Sequence, residues 1–292
     1  MLHYFDISKW KLSILSGILI GLAYPPSPLG FLAWFGLIPL IHIILNSSIF
    51  NSLKYSYVTG LIVNSITVYW FGLNSGAGFA TAIISMIAAI LYLSIFWLIL
   101  GLVCSWYHQK TGYGLFVFPL LWVSIEYLRS FGPLSFPWIN LGLTQTFSLP
   151  LIQIADVTGT MGISFWIVML NIIIYLAINS KRIEKKILSI GVLLLTVIFL
   201  LGFFRISIIQ NQDILNNIST AIVQPNIDPN LKWEENFRDR IFNTMDSLHI
   251  KAIEHNPDFI LWPEAALPTY LRLNYSTKRS ILKKVKESNI PL

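Results

Sequence analysis

Apolar residues dominate the first 207 positions, and beyond them apolar and polar residues alternate. From Leu12 to Leu53, a run of 42 residues, there is no Asp, Glu, Lys or Arg, and from Tyr55 to Gln109, a run of 55, there is none either. A membrane-spanning helix takes about 20 residues, so each run is expected to fold as a hairpin of two helices. The pattern predicts about seven spans, at 12–24, 29–46, 55–73, 79–103, 112–128, 161–179 and 187–207. Pro25-Pro26 ends the first, because proline lacks the amide donor and disfavours helix in the residue before it. The sixth begins after Gly159 and Gly162, and the seventh follows Lys181, Arg182, Lys185 and Lys186. The stretch 129–160 fits neither pattern. It is rich in Gly and Pro, nearly uncharged, and carries Phe131, Phe136, Trp138 and Phe147. It is expected to lie at the membrane interface, where aromatic rings favour the headgroup level, or to fold back between helices.

After a polar linker at 208–218 the periodicity changes. Ser219–Val223 reads as a short strand closed by Gln224-Pro225-Asn226. From Lys232 to Glu254 the apolar residues Trp233, Phe237, Ile241, Met245, Leu248 and Ala252 mark one helix face. Asp258–Trp262 reads as a second strand ended by Pro263. Near Ser276 a second helix is predicted, with Ile281, Leu282 and Val285 inward and Lys278, Arg279, Lys283, Lys284 and Lys286 outward. Residues 289–292 look like the approach to a third strand. Strand–helix–strand–helix opens an α/β domain with a right-handed crossover, and half a sheet is marginal alone. The expected organisation is a polytopic α-helical membrane domain at 1–207, a linker at 208–218 and the truncated start of an α/β domain at 219–292, the chain being a fragment or a truncated product.

Composition agrees with a bilayer as part of the solvent. Of the 292 residues 55% are hydrophobic and 12% charged, and the mean hydropathy is +0.66. Residues 208–292 hold ten acidic and ten basic residues, so the net charge of +6 comes from residues 1–207. There the loops on one side carry Lys9, Lys11, Lys54, Lys110 and the four-residue basic cluster, whereas those on the other carry only Arg129. The positive-inside rule puts the first set, and the N-terminus, in the cytoplasm. An odd span count then puts residues after 208 on the outer side. The basic excess is thus a topology signal rather than a nucleic-acid surface. Cys104 is the only cysteine, which excludes an internal disulfide and a cysteine-built metal site.

Glu264 is the pointed candidate for chemistry. It follows the second strand in Trp262-Pro263-Glu264, and the carboxyl ends of parallel strands are where catalytic groups gather. Flanking prolines and Trp262 would fix the carboxylate and favour a general-base role; a solvated loop glutamate is the plainer reading. Glu126 and Arg129 read as a local ion pair or a headgroup-binding pair. Asp156 reads as a cap, and Asn64, Asn74 and Asn171 as interhelical hydrogen-bonding residues. Cys104 reads as a packing residue, and His3, His42, His108, His249 and His255 show no ligand spacing.

Three segments carry a resemblance. They are Phe136-Pro137-Trp138 with Leu141-Gly142, Gln145 and the run Gln153 to Gly162; Val223-Gln224-Pro225-Asn226-Ile227 with Leu231-Lys232-Trp233; and Trp262-Pro263-Glu264. In that order, after about seven spans, they resemble the apolipoprotein N-acyltransferases, a membrane-anchored branch of the nitrilase (carbon–nitrogen hydrolase) superfamily. The resemblance implies transfer of a fatty acyl chain from a membrane phospholipid to the α-amine of the N-terminal cysteine of a diacylated apolipoprotein, through a thioester on the enzyme. It implies a bacterial inner membrane with the α/β part on the periplasmic side, and no cofactor. Glu264 matches the catalytic glutamate of a Glu–Lys–Cys triad, and Trp233 matches a tryptophan near the substrate entrance. The family's lysine and cysteine fall beyond residue 292, so the chain alone is expected to be inactive. A non-catalytic transporter or lipid-binding membrane module is the alternative of a different class; against it, the spans carry few charges and no internal repeat is evident.

Overall fold

The computed structural model describes residues 8–73, 78–179, 185–211, 218–228, 231–232 and 234–292. Contacts divide the chain into two compact units, residues 1–74 with 79–212, and residues 213–292 together with 75–78.

The first unit is helical. Its elements are α1 (Lys9–Ala23), α2 (Ile38–Leu45), α3 (Ile49–Thr67), α4 (Phe79–Thr111), α5 (Gly114–Leu128), the single turn α6 (Leu149–Ile152), α7 (Ala155–Asn179) and α8 (Lys185–Gln210). Among the described residues three helices are long and apolar enough to cross a membrane: α4, α7 and the Ser189–Gln210 part of α8. The unit thus reads as part of a membrane protein. The remaining predicted spans are shorter or broken bodies, except α3, which is an unbroken 19-residue helix of mixed apolar and polar composition. The second, for example, is a 3-10 turn at Gly30–Trp34 followed by the short α2. Gly159, at φ +66°, breaks α7 four residues after its start. With ψ near −178° this is a conformation essentially restricted to glycine, so the long regular helix begins where the sequence predicts the sixth span.

Small residues let these helices approach closely. A Cβ added at Gly17 would fall 2.7 Å from Ile62 Cβ, and one at Gly21 would fall 2.9 Å from Ile66 Cβ, so the spacing of four in α1 seats that helix on α3. Polar side chains bridge the same apolar interior. Ser16 Oγ donates to Gly36 O at 2.6 Å. Asn64 Nδ2 donates to Ser94 Oγ at 3.0 Å, tying α3 to α4. Asn171 Nδ2 donates to Ala33 O at 2.7 Å while its Oδ1 accepts from Leu37 N at 2.9 Å. Asn64 and Asn171 thus fill the predicted role; Asn74 lies outside the described residues. Cys104 is buried within α4. Asp156 does not cap α7. It meets Arg205 of α8, whose Nε and Nη2 lie 2.9 and 2.8 Å from Asp156 Oδ2.

The second unit contains two parallel strands among the described residues. They are β1 (Thr220–Ile222) and β2 (Phe259–Leu261), registered as Thr220↔Phe259, Ala221↔Ile260 and Ile222↔Leu261. Helix α9 (Glu235–Glu254) connects them and α10 (Tyr275–Ser288) follows. Asn274 sets the start of α10, because its Oδ1 accepts from Thr277 N at 3.1 Å. Ile260 N donates to Pro291 O at 2.8 Å, so the segment predicted to approach a third strand runs beside β2. The small core holds Val223, Met245, Ala252, Ile260, Leu267 and Ile290. Two predicted orientations on α10 are corrected. Leu282 is 51% exposed, since the helix turns Ile281 to the core and Leu282 lies about 100° further round. Lys284 is not on a solvated face; it reaches inward to pair with Asp246 of α9.

Candidate active site

The second unit brings two of the singled-out motifs to one place. Because β1 and β2 run parallel in register, Gln224-Pro225-Asn226 and Trp262-Pro263-Glu264 both leave the carboxyl ends of adjacent strands. That edge is where open α/β sheets hold their reacting groups. The first exit ends on a left-handed residue, Asn226 at φ 49°, and the second is followed by one, Ala265 at φ 51°. Asparagine tolerates that region, whereas alanine costs about 1–2 kcal/mol there. Ala265 turns the chain sharply just after Glu264, and Ala266 N closes the turn on Pro263 O at 3.2 Å. Glu264 is exposed. Gln224 Nε2 donates to Asn226 Oδ1 at 3.2 Å, which closes the first exit. Trp233 lies outside the described residues.

Beneath this edge the indole of Trp262 stands edge-on to the imidazole of His249, with ring centroids 5.5 Å apart and planes at 88°. His249 is 1% exposed, and among the described residues neither ring nitrogen has a hydrogen-bond partner. Its spacing from Ile241 and Met245, eight and four residues earlier, could have placed it on the buried face, which Leu248 only flanks. Burial first, then the Lys284 ammonium, hold His249 below its ordinary value of 6.5, and Asp246 opposes them. The unfolded chain therefore takes up this proton at a higher pH than the folded chain. The stability contributed by the neutral ring is complete above about pH 6.5 and is lost as pH falls below it. Hydrogen exchange of the α9 amides, corrected for intrinsic rates, is expected to speed up between pH 7.5 and 5.5. His249→Phe, which keeps the ring contact with Trp262, is expected to remove that dependence; an unchanged dependence would show that other groups set it.

The first unit holds a second polar constellation, built where the 129–160 stretch folds back. Glu126 is 2% and Arg129 6% exposed. Among the described residues they form no ion pair with each other, contrary to the local-pair expectation; each instead bonds the returning chain. Glu126 Oε1 accepts from Leu141 N at 2.7 Å and from Trp122 Nε1 at 2.9 Å. Arg129 Nη2 donates to Asn140 Oδ1 at 2.9 Å and to Ile139 O at 3.2 Å, and Tyr24 OH donates to the same carbonyl at 2.8 Å. Gln145 adds a third anchor: its Nε2 donates to Gly30 O at 3.0 Å and its Oε1 accepts from Trp34 Nε1 at 2.9 Å. So held, the stretch buries Ile139, Leu141 and Gln145 and leaves Phe131, Leu134, Trp138 and Phe147 exposed. Trp138 stacks edge-on with Trp70 at 5.9 Å and with Phe136 at 5.1 Å. The stretch both folds back and presents an aromatic rim. Among the described residues no group of three or more His, Cys, Asp or Glu could hold a metal ion.

Residues 16–173 match the family model described as the apolipoprotein N-acyltransferase N-terminal domain. The chain is 30% identical over 278 residues to an apolipoprotein N-acyltransferase of Geobacter metallireducens, an alignment covering 90% of this chain and 52% of that protein. A protein of the same name from Chlorobaculum tepidum is 27% identical over 294 residues, covering 96% of this chain and 54% of its own length. One from Rickettsia prowazekii is 30% identical over 262 residues, covering 87% and 51% respectively. The chain spans about half the length of the curated relatives it matches.

Proposed function

The chain belongs to the apolipoprotein N-acyltransferase family, and from that premise we propose that it forms the membrane anchor and the opening of the catalytic domain of an enzyme that N-acylates lipoproteins. The observation that carries this reading is the arrival of Gln224-Pro225-Asn226 and Trp262-Pro263-Glu264 at one end of a parallel strand pair, in a chain whose helical part matches the family over residues 16–173.

On this reading the acyl donor is a membrane phospholipid and the acceptor is the α-amine of a diacylated lipoprotein's N-terminal cysteine. A cysteine thiol loses its proton to Glu264 and attacks the ester carbonyl; the ester C–O bond breaks and lysophospholipid leaves with the proton. The amine then attacks the thioester, the amide bond forms, the C–S bond breaks and the thiol is restored. A lysine ammonium stabilises the oxyanion in both steps. On this reading neither partner is Cys104 or Lys284. Cys104 is buried in the helical unit, and Lys284 is committed to Asp246. The family reading places both groups beyond residue 292, and Trp233 at the substrate entrance. It also sets seven spans in a bacterial inner membrane, with the N-terminus cytoplasmic and residues 219–292 periplasmic. The aromatic rim about Trp138 then belongs to the outer leaflet.

Reading the coding DNA past Leu292 tests the catalytic part of the proposal. An open frame that encodes a further lysine, then a cysteine, and then one more apolar span is expected. A stop codon directly after Leu292 would leave this gene product without a nucleophile and would overturn the claim that it catalyses the transfer.

A further inference from the structure

The loop that carries Glu264 has little of its own to hold it in place. Among the described residues the one hydrogen bond made by residues 263–266 is internal, from Ala266 N to Pro263 O. The last bond between the strands before the loop runs from Val223 N to Leu261 O at 2.9 Å. The loop is fixed instead at its two ends. Leu267, 6% exposed, seats one end in the core with Val223, Met245 and Ile260. The half-buried Trp262 packs against the same core at the other end.

Trp262 is the looser of the two anchors. Its Nε1 is buried and, among the described residues, has no hydrogen-bond partner. The indole also borders a cavity of about 250 Å³, lined by Phe242, Leu267 and Ile281 among others, so the ring has space to swing into. His249 does not line that cavity. Its imidazole meets the indole edge-on, the arrangement that the charge distribution of two aromatic rings favours. With no hydrogen bond on either ring, packing alone sets the angle of the indole, and His249 supplies the ring it packs on. At 1% exposure His249 is out of reach of any substrate, so a part in the reaction has to pass through Trp262.

We infer that His249 is a positioning residue for the acyl transfer: its ring holds the Trp262 indole, and through it the Glu264 carboxylate two residues on, where the thiol proton is taken. The inference rests on the reading of Glu264 as the base. A base works only within hydrogen-bond reach of its proton, and a misplacement of about 1 Å costs up to about 10²-fold in rate. Loss of the ring contact therefore slows the chemical step and leaves substrate binding as it was.

The test uses the product of the complete coding sequence, assayed in micelles of its host's extracted phospholipids with a diacylated lipopeptide as acceptor. His249→Leu fills a similar volume without a ring and is expected to lower kcat about tenfold with KM for the lipopeptide unchanged. His249→Phe restores the ring and is expected to restore kcat. Ile241→Ala truncates a buried residue of the same helix outside that core and is expected to lower the unfolding temperature while kcat stays at the parent value. A parental kcat in His249→Leu, a His249→Phe as slow as His249→Leu, or an equal loss of kcat in Ile241→Ala would each overturn the inference. Glu264→Gln separates its failure from that of the reading beneath it. An inactive Glu264→Gln beside a fully active His249→Leu overturns the positioning role alone, whereas a fully active Glu264→Gln overturns the reading and the inference with it.

Discussion

Replacing Glu264 with Gln in the product of the complete coding sequence is expected to lower lipoprotein N-acylation by about 10²–10⁴-fold, the range for removal of a general acid–base group. The amide keeps the size of the side chain and cannot take the thiol proton. The surroundings make the substitution clean. Glu264 is exposed, and the turn that follows it rests on backbone geometry, the left-handed Ala265 and the Ala266-to-Pro263 hydrogen bond. Membrane insertion and yield are therefore expected to match the parent. Mass spectrometry of a lipoprotein N-terminus, in cells where this gene is the source of the activity, reads the outcome directly. Retained triacylation in Glu264→Gln would remove this residue from the catalytic step.

Glu126→Leu is expected to have the largest effect on stability. Glu126 Oε1 serves two buried donors at once, the Leu141 amide and the Trp122 indole. Leucine strands both, at a cost of about 1–3 kcal/mol each. It also removes the charge facing Arg129, itself buried and bonded to Ile139 O and Asn140 Oδ1. The returning turn should loosen first, so hydrogen exchange should rise at residues 139–145 before it rises elsewhere. Glu126→Gln retains an acceptor oxygen and should lose much less. Thermal unfolding in detergent ranks the three proteins; if Glu126→Leu unfolds with the parent, the anchor is not what holds the turn. The same comparison separates the two sites, because an anchor variant shifts unfolding whereas Glu264→Gln shifts activity alone.

The sequence carried its local features well and its long-range ones poorly. The strands about Ala221 and Ile260, the buried face through Ile241 and Met245, and the break at Gly159 were all readable. Period, proline and glycine act within a few residues, and each lies on the chain beside its effect. Glu126 was readable as a costly buried charge but not as the anchor of Leu141, 15 residues away. Asp156 likewise pairs with Arg205, 49 residues on, where only tertiary packing brings them together. Lys284 looked like one of several outward lysines until α10 turned it toward Asp246. His249 shows no ligand spacing, but its place on the buried α9 stripe follows from the helical period alone. At the candidate active site, strand order and the Trp262-Pro263-Glu264 exit were legible. The imidazole packed beneath Trp262 was not, for it depends on how α9 crosses β2.

The role proposed for this chain is in the N-acylation of lipoproteins. Its most direct test is to deplete the gene in its own host and to weigh the N-terminal peptide of an abundant lipoprotein by mass spectrometry. Accumulation of the diacyl form with a free α-amine, reversed when the gene is restored, is the predicted result. Lipoproteins that remain triacylated after depletion would contradict it.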